Sequence, residues 1–410
     1  MKKLLLVLLI LSLFINHLNA NEKDLQIIQK DKKEYRLLDK ESIQTRQQSQ
    51  KYDWISPIDL SGDIGRNHSF SDENSRNLDN KNTKSASIGF TQSIFESGGI
   101  GFKMDYADNR FKYEMLSWEN QNSQLIYTIY NTLLDIKKLK LEINQNDYRI
   151  VNKDIELIIK KIQYEAGKTD IIELNNAIMS KNLILKEEIA LKNSLKEKEQ
   201  ELAKYTDLKY DDIEILDFQG TQKDIFLDKN YSILEADAKV EMLNSEYKIK
   251  KSQYLPKLSL SAKASYSNQD EKFNSMINDT NKDDATSSGS LILSMPLYDY
   301  TKSSKIQESK IEVLKQKALV NDLKNETAFE YEQIFTKIDT YLKQNETINK
   351  NIKLYEELIG ANQISSEAGM TSKYDLEILE NTKTINEFDI LINKINILQQ
   401  YAKLYFKIKN

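Results

Sequence analysis

Two nearly identical stretches decide the organisation of this chain: Glu165-Ala166-Gly167-Lys168-Thr169 and, 202 residues later, Glu367-Ala368-Gly369-Met370-Thr371. Each follows a long stretch without helix breakers, because glycine and proline are absent between Gly101 and Gly167 and between Pro296 and Gly360. An uninterrupted helix of that length extends about 100 Å at roughly 1.5 Å per residue. Ordinary globular helices have three or four turns. The chain is therefore predicted to contain one elongated unit twice.

Four segments alternate in polarity with a period of two, as strands with one apolar and one polar face do. All three prolines, Pro57, Pro256 and Pro296, border these segments, where strands tolerate proline. The segments form two predicted hairpins, at residues 56–97 and 256–298. Polar tips are expected at about residues 67–84 and 268–288. The alternation is clearest in the third segment, whose apolar face consists of Leu258, Leu260, Ala262, Ala264 and Tyr266.

The first twenty residues have the pattern of a secretory signal peptide. Lys2 and Lys3 precede an apolar run from Leu4 to Ile15, and a small residue, Ala20, marks the expected cleavage site. The run is too short to span a membrane, and no other run of about 18 apolar residues occurs. The chain contains no cysteine, so a disulfide framework, a thiolate metal site and a lipid anchor on an N-terminal cysteine are not expected.

Charged residues make up 30% of the chain, and the formal net charge is -5. This balance favours long solvated helices over a compact enzyme. Mild acidity provides no basic footprint, so no nucleic-acid partner is expected. After signal removal His68 is the remaining histidine, and the chain has no thiol. No glycine-rich phosphate loop follows a predicted strand. We therefore predict no catalytic site, no metal site and no cofactor.

Heptad spacing supports the duplication. Apolar residues recur every seven positions in the first half, and four of the five equivalent positions in the second half are also apolar. The first set is Ile129, Ile136, Ile143, Ile150 and Leu157; the second is Tyr331, Ile338, Asn345, Ile352 and Ile359. Such a pattern predicts helices that supercoil against neighbours. The polar exception, Asn345, is expected to set the register of its seam.

The predicted organisation has four parts: a signal peptide (1–20), a first repeat (21–205), an irregular linker (206–230) and a second repeat (231–410). Each repeat has a helix, a strand hairpin and a long helical hairpin, with tips at 166–169 and 368–371. The fold class is mainly α with a small β-barrel contribution. Four amphipathic strands leave two open edges, which a lipid-facing sheet cannot retain. Copies of the chain must then close the barrel, and the strand count does not select two, three or four.

Together these features resemble the TolC-type outer-membrane efflux family. The most specific motifs are the two Ala-Gly-x-Thr turns, the corner Pro296-Leu297-Tyr298-Asp299 and the strand entry Tyr254-Leu255-Pro256. The resemblance implies a homotrimeric α/β barrel tube in the outer membrane, with 12 strands and a 12-helix conduit that extends into the periplasm. It also implies docking on a periplasmic adaptor and an inner-membrane transporter.

The resemblance assigns adaptor docking to the tips, Ala166, Gly167, Lys168 and Thr169 with Ala368, Gly369, Met370 and Thr371. The alternative is helix termination by a glycine in the left-handed conformation. Glu173 and Asp375 follow the tip glycines by six residues, and Asp375 matches the family's acidic ring at the periplasmic entrance. The alternative for both is capping, since Asp170-x-x-Glu173 and Ser372-x-x-Asp375 fit the capping-box pattern.

The functional hypothesis is a passive exit duct of a tripartite efflux or type I secretion system. Such a duct performs no chemistry and takes its energy from the inner-membrane partner. The alternative is a periplasmic adaptor or coiled-coil scaffold protein of an export complex. An adaptor, however, is expected to have a compact glycine-rich β domain and no strands with a one-sided apolar band.

Overall fold

The computed structural model describes residues 25–69, 79–270, 282–367 and 372–409. The predicted signal peptide and the second tip, 368–371, lie outside these residues. The helices are α1 (Lys30–Tyr52), α2 (Gly99–Glu165), α3 (Ile171–Ala203), α4 (Lys223–Asp228), α5 (Tyr231–Ser252), α6 (Lys302–Glu367) and α7 (Lys373–Phe406). The strands are β1 (Asp59–Ser69), β2 (Asp79–Phe95), β3 (Lys257–Asp270) and β4 (Lys282–Ser294).

The two long helices predicted from the absence of breakers are confirmed. Helix α2 has 67 residues and α6 has 66. Backbone conformation sets both ends of α2: Ser97 and Gly98 precede it with φ of 50° and 87°, and Gly167 follows it with φ of 66°. None of the helices within the described residues includes a stretch that is long and apolar enough to cross a membrane.

The four strands form one antiparallel sheet in the order β1-β2-β3-β4. Each predicted hairpin is present, and the two hairpins join through β2 and β3. The strands extend further into the polar sequence than expected: β1 reaches Ser69 and β4 begins at Lys282. The predicted tips at 67–84 and 268–288 were therefore too long. Backbone hydrogen bonds continue a ladder wherever two strands stay side by side, even where the side chains no longer alternate in polarity.

The described residues fall into two compact units, each of which includes parts of both repeats. The helical unit comprises residues 25–40, 116–235 and 321–409, and the sheet unit comprises residues 41–115 and 236–320. In the helical unit the predicted heptad seams are confirmed at Ile129, Ile136 and Ile338, which are buried. Ile338 also belongs to a core cluster of this unit with Phe226, Ile334, Leu404 and Ile408.

The predicted linker, 206–230, is less irregular than its composition suggested. It contains a 3-10 turn, Tyr210–Asp212, and the short helix α4. Two of its aromatic residues, Phe218 and Phe226, are buried. The Phe218 ring lies 5.4 Å from the Phe406 ring and 5.6 Å from the Tyr130 ring. These contacts fix the linker against the helices of its own unit, because aromatic side chains bury a large area.

Candidate functional site: the sheet faces and the helix tips

The first candidate surface is the apolar face of the sheet. Its large side chains point away from the rest of the chain, and Leu60 and Leu293 are 79% and 73% exposed. Ile58, Ile64, Ile88, Tyr266 and Leu291 share this exposure. Along β3 the apolar residues run from Leu258 to Tyr266, about 26 Å at roughly 3.3 Å per residue. At the strand tilt of about 35–45° found in outer-membrane barrels, such a strand gives a band about 20 Å tall, close to the apolar belt of about 25 Å.

The opposite face of the sheet is lined by hydroxyl groups. Ser61, Ser87, Ser265 and Thr286 form one row across all four strands. The hydroxyls of Ser61 and Ser87 lie 2.8 Å apart, as do those of Ser265 and Thr286. These hydrogen bonds satisfy polar side chains that stay in contact with water. The sheet therefore has one face suited to lipid and one suited to solvent, as the alternation predicted.

The sheet has two open edges within the described residues. Strand β1 pairs only with β2, and β4 pairs only with β3. The outward N–H and C=O groups of β1 and β4 therefore lack a ladder partner in this part of the chain. An open edge beside an exposed apolar face favours pairing with another strand.

Contacts in the helical unit place four helices side by side, in the order α3, α2, α7, α6. The contacts that establish this order are Arg149 with Glu187 (3.5 Å), Gln145 with Asp389 (2.7 Å) and Asn393 with Asn345 (2.9 Å). The two outer helices carry exposed apolar side chains. On α3 these include Ile172, Met179 and Leu183, and on α6 they include Phe329, Leu342 and Leu354. The helix row thus has unpartnered apolar edges, as the sheet has unpaired strands.

The first tip ends helix α2 in a Schellman motif. The Lys168 N–H donates to the Gln163 carbonyl (2.8 Å), and the Gly167 N–H donates to the Tyr164 carbonyl (2.9 Å). These are the two hydrogen bonds that define the motif, with glycine in the left-handed position. The predicted termination role of Gly167 is confirmed. Ala166, Gly167 and Lys168 are exposed, so this turn presents small residues at the surface.

Glu173 has a partner that the capping pattern did not predict. Asp170 caps helix α3 as expected, because its carboxylate accepts the Glu173 N–H at 2.9 Å. The Glu173 carboxylate does not return to the cap. It pairs with Lys160 of α2 at 3.0 Å. The predicted reciprocal capping box was therefore wrong for the Glu173 side chain, because an ammonium group on the facing helix lies within reach.

Asp375 is placed differently from Glu173. The cap of helix α7 is the Ser372 hydroxyl, which accepts the Tyr374 N–H at 3.2 Å rather than the Asp375 N–H. Asp375 is exposed, and its carboxylate has no ion pair among the residues that the structure describes. Its negative charge in the first turn still suits the helix dipole. Of the two predicted acidic residues, Asp375 is thus the one whose charge is not already matched.

One charged cluster had no signal in the sequence analysis. The Glu330 carboxylate lies between Lys403 and Lys407, at 2.8 Å and 2.6 Å. Burial raises the pKa of Glu330, but the hydrogen bonds and charges of the two lysines outweigh it and hold the pKa below its ordinary value of 4.5. Lys403 and Lys407 lie one helical turn apart near the end of α7, a spacing that allows both to reach one acid. Nothing in the sequence indicated that the acid comes from α6.

Within the described residues, no group of three or more histidine, aspartate or glutamate side chains is arranged to hold a metal ion. The acidic residues that form ion pairs do so mostly with lysines on the same or the facing helix. Lys181 with Asp154 and Lys383 with Glu356 are examples, at 2.5 Å and 3.0 Å. Such pairs stabilise solvated helices modestly.

Comparisons with known proteins agree with this geometry. The family model described as "Outer membrane efflux protein" matches residues 224–403. No curated protein sequence matches the chain. Solved structures with a similar fold include the Campylobacter jejuni CmeC outer membrane channel, with 13% identity and a TM-score of 0.70 over 92% of this chain and 84% of that one.

The Vibrio cholerae outer membrane protein VceC is also similar, with 12% identity and a TM-score of 0.72 over 93% of this chain and 94% of that one. The open state of the Neisseria gonorrhoeae MtrE outer membrane channel has 10% identity and a TM-score of 0.67 over 94% and 87%. At these identities the structural likeness establishes the fold. The sequence match and the fold together confirm the predicted resemblance to the TolC-type outer-membrane efflux family, a family of conduits rather than enzymes.

Proposed function

We propose that this chain is the outer-membrane channel of an export system. Three copies close their sheets into a lipid-embedded barrel and their helix rows into a periplasmic tube. The duct is passive, and its energy and substrate choice come from an inner-membrane transporter linked through a periplasmic adaptor. The observation that carries the proposal is a sheet with a lipid-type face, a hydroxyl face and two unpaired edges.

The edges make a lone copy incomplete in two ways. Each unpaired strand edge would leave backbone groups without partners in hydrocarbon, where an unsatisfied group costs several kcal/mol. The outer helices α3 and α6 leave apolar stripes in water. A ring of identical copies removes both costs at once, because β4 meets β1 and α6 meets α3 of the next copy. The number three is taken from the family resemblance.

The tips and the acidic residues have roles in this proposal. The tips at 166–169 and 368–371 form the surface on which helical hairpins of the adaptor dock, and in the first tip Ala166 and Gly167 are small and exposed. Asp375 forms an acidic ring at the periplasmic entrance, and Glu173 contributes less because Lys160 balances its charge. The adaptor alternative finds no support in the described β structure, which is one sheet with an exposed apolar face.

The test uses the mature protein expressed in a Gram-negative host. We expect it in the outer-membrane fraction, as an oligomer that resists SDS until heated, with a β contribution in circular dichroism. Purified in detergent and added to planar bilayers, it should give discrete conductance steps. A monomer without β signal that yields no conductance contradicts the proposal. Recovery in the soluble periplasmic fraction favours the adaptor alternative.

A further inference from the structure

The internal repeat specifies more than that copies of the chain must close the barrel. The structure fixes the offset in residue number between equivalent positions of the two repeats. Strand β3 follows β1 by 200 residues: the Ile55 N–H donates to the Tyr52 carbonyl, and the Leu255 N–H donates to the Ser252 carbonyl, at 2.9 Å and 3.0 Å. Both bonds close the same turn before a strand. The apolar positions agree, since Ile58 and Leu60 correspond to Leu258 and Leu260.

Strand β4 follows β2 by 203 residues. The turn after each strand shows this offset, because the Gly99 N–H donates to the Glu96 carbonyl at 2.9 Å and the Lys302 N–H donates to the Asp299 carbonyl at 3.2 Å. Each acid also pairs with a lysine in the first turns of the helix that follows. These pairs are Glu96 with Lys103 (3.0 Å) and Asp299 with Lys305 (3.8 Å).

The hairpin registers provide an independent check of the sum of the two offsets. Paired residue numbers in the β1–β2 ladder add to 148, as for Asp59 and Gly89. Offsets of 200 for one strand and 203 for the other raise that value to 551. The observed β3–β4 pairs, such as Lys257 with Ser294, add to 551. The two hairpins are therefore equivalent at every paired position, with no slip.

The β2–β3 ladder is where the first repeat meets the second within one chain. In a closed ring, β4 and β1 form the same junction between the second repeat of one copy and the first repeat of the next. Paired numbers in the β2–β3 ladder add to 352 from Asn82 to Ser93, as for Thr91 and Ser261, before a bulge shifts the register at Phe95. The offset of 203 raises the β2 number to its β4 counterpart and the offset of 200 lowers the β3 number to its β1 counterpart, so the corresponding value for β4 and β1 is 355. We propose that β4 pairs antiparallel with β1 of a second copy in that register, so that Ser294 faces Ser61 and Leu291 faces Ile64.

The side chains at the proposed junction suit this register. Ser294 and Ser61 correspond to Thr91 and Ser261, whose hydroxyls lie 3.1 Å apart inside one chain. Leu291 and Ile64, both exposed in the single chain, face each other on the lipid side. A slip of one residue would turn one strand's apolar set toward the hydroxyl face. The proposal therefore keeps both faces of the sheet continuous across the copies.

The corner after β4 supports the same junction. After β2, the Ser97 hydroxyl donates to the Pro256 carbonyl at 2.7 Å, and Glu96 is only 8% exposed. At the corresponding corner after β4, Tyr300, the counterpart of Ser97, is 87% exposed, and the contacts described there, such as Lys302 over the Tyr254 ring, stay within the second repeat. The offsets place Tyr300 beside Ser56 of the second copy. The exposed corner thus provides one side of a junction, and the second copy provides the other side.

The experiment uses the absence of cysteine in the sequence. The variant Ser61→Cys/Ser294→Cys is expressed as the mature, full-length protein in membranes, oxidised, and run on a non-reducing gel. A disulfide needs Cα atoms about 4.4–6.8 Å apart, and facing residues of antiparallel strands lie about 4.5–5.5 Å apart. A link within one chain is excluded, because β1 and β4 are separated by three strand spacings, about 14 Å. We expect a ladder of covalent oligomers.

Two slipped pairs are the matched controls: Asp63→Cys/Ser294→Cys and Asp59→Cys/Ser294→Cys. Each is displaced by two residues and is therefore diagonal, at about 7–8 Å, so the facing pair should yield roughly tenfold more covalent oligomer than either. Thr91→Cys/Ser261→Cys is the positive control and should close within one chain without a ladder. Asp63→Cys/Ile292→Cys provides a second facing pair in case one substitution impairs folding.

This inference rests on the proposed function, and the outcomes separate the two. A ladder from a slipped pair, or no ladder from either facing pair while an amine-reactive cross-linker still yields oligomers, overturns the register and leaves the channel in place. If the amine-reactive cross-linker yields only monomer, the channel proposal fails as well. A ladder from both facing pairs and not from the slipped pairs supports the register.

Discussion

Gly167 and Gly360 both have open space where a Cβ atom would lie, yet their backbones differ. Gly167 adopts φ of +66°, whereas Gly360 lies inside helix α6. A left-handed conformation costs an L-residue about 1–2 kcal/mol, and a glycine inside a helix costs about 0.5–1 kcal/mol relative to alanine. Replacement of glycine by alanine is therefore expected to destabilise the turn at Gly167 and to stabilise the helix at Gly360.

We predict that Gly167→Ala weakens the first tip while Gly360→Ala strengthens its helix. Hydrogen exchange followed by mass spectrometry measures both effects locally. Exchange of the Gly167 and Lys168 amides should accelerate about 5- to 30-fold, the factor that corresponds to 1–2 kcal/mol. Exchange around residue 360 should slow in the matched variant. Equal protection of the tip in Gly167→Ala and in the wild type would contradict the conformational argument.

The Glu330 cluster predicts a pH dependence. The folded-state pKa of Glu330 is lowered by Lys403 and Lys407, so the carboxylate stabilises the fold at neutral pH. This contribution is lost as the pH falls below about 4.5 through the folded-state pKa. We predict that Glu330→Gln lowers the thermal midpoint at pH 7 and that its difference from the wild type shrinks in acid.

The control is Glu332→Gln, two residues further along the same helix. Glu332 pairs with Lys223 at 2.7 Å but is well exposed, and exposed ion pairs contribute little. Its thermal midpoint, followed by circular dichroism at 222 nm, should stay near that of the wild type at every pH. If both variants behave alike, burial between two lysines does not distinguish Glu330.

Helices α6 and α7 have a polar pair in their seam where the first repeat has apolar residues. The Asn393 side chain is 8% exposed and donates to the Asn345 side-chain oxygen at 2.9 Å. The equivalent positions 202 residues earlier are Ile143 and Leu191. The sequence predicted Asn345 as a register-setting residue, and the structure identifies Asn393 as the partner. Buried amides in coiled coils specify register at a cost in stability.

A double-mutant cycle tests this pair. Asn345→Ile alone leaves the buried Asn393 amide unpaired, which should cost about 1–3 kcal/mol. Asn345→Ile/Asn393→Leu restores the apolar pair of the first repeat and should recover or exceed wild-type stability, with some loss of a unique helix register. Thermal unfolding measures the first effect, and cysteine cross-linking along the α6–α7 seam measures the second. A double variant less stable than the single one would refute the pairing argument.

In an assembled ring, one exposed carboxylate per copy becomes a ring of like charges. The Asp375 carboxylate has no ion pair among the described residues, whereas Glu173 pairs with Lys160. Multivalent cations should therefore bind at Asp375 and obstruct the entrance. We predict that Asp375→Asn raises single-channel conductance in planar bilayers and weakens block by multivalent cations, and that Glu173→Gln has a smaller effect.

The comparison of the two acids is its own control, since they occupy equivalent places in the two repeats. Both variants should form SDS-resistant oligomers like the wild type, because neither carboxylate is buried. Unchanged conductance and block in Asp375→Asn would leave that residue with a role at the helix N-terminus alone. An equal effect of both substitutions would mean that the Lys160 pair does not neutralise Glu173 in the channel.

The local features of this protein were predictable because each depends on neighbours in the chain. The absence of glycine and proline predicted the two long helices, and the alternation of polar and apolar residues predicted the two faces of the strands. The repeated Ala-Gly-x-Thr motif indicated the duplication and the turn at Gly167. Such patterns work because a helix or a strand repeats over a few residues. The resemblance to the efflux family followed from their order along the chain.

Partners across the fold were decided only by the tertiary structure. Lys160 for Glu173, Asn393 for Asn345 and the acid between Lys403 and Lys407 could not be inferred from the chain order, because long, similarly charged helices offer many equivalent contacts. The strand register was equally open, since periodicity fixes which face a residue occupies but not which residue lies opposite. Backbone pairing over the whole sheet settles that choice, and it is this register that defines the junction with a second copy.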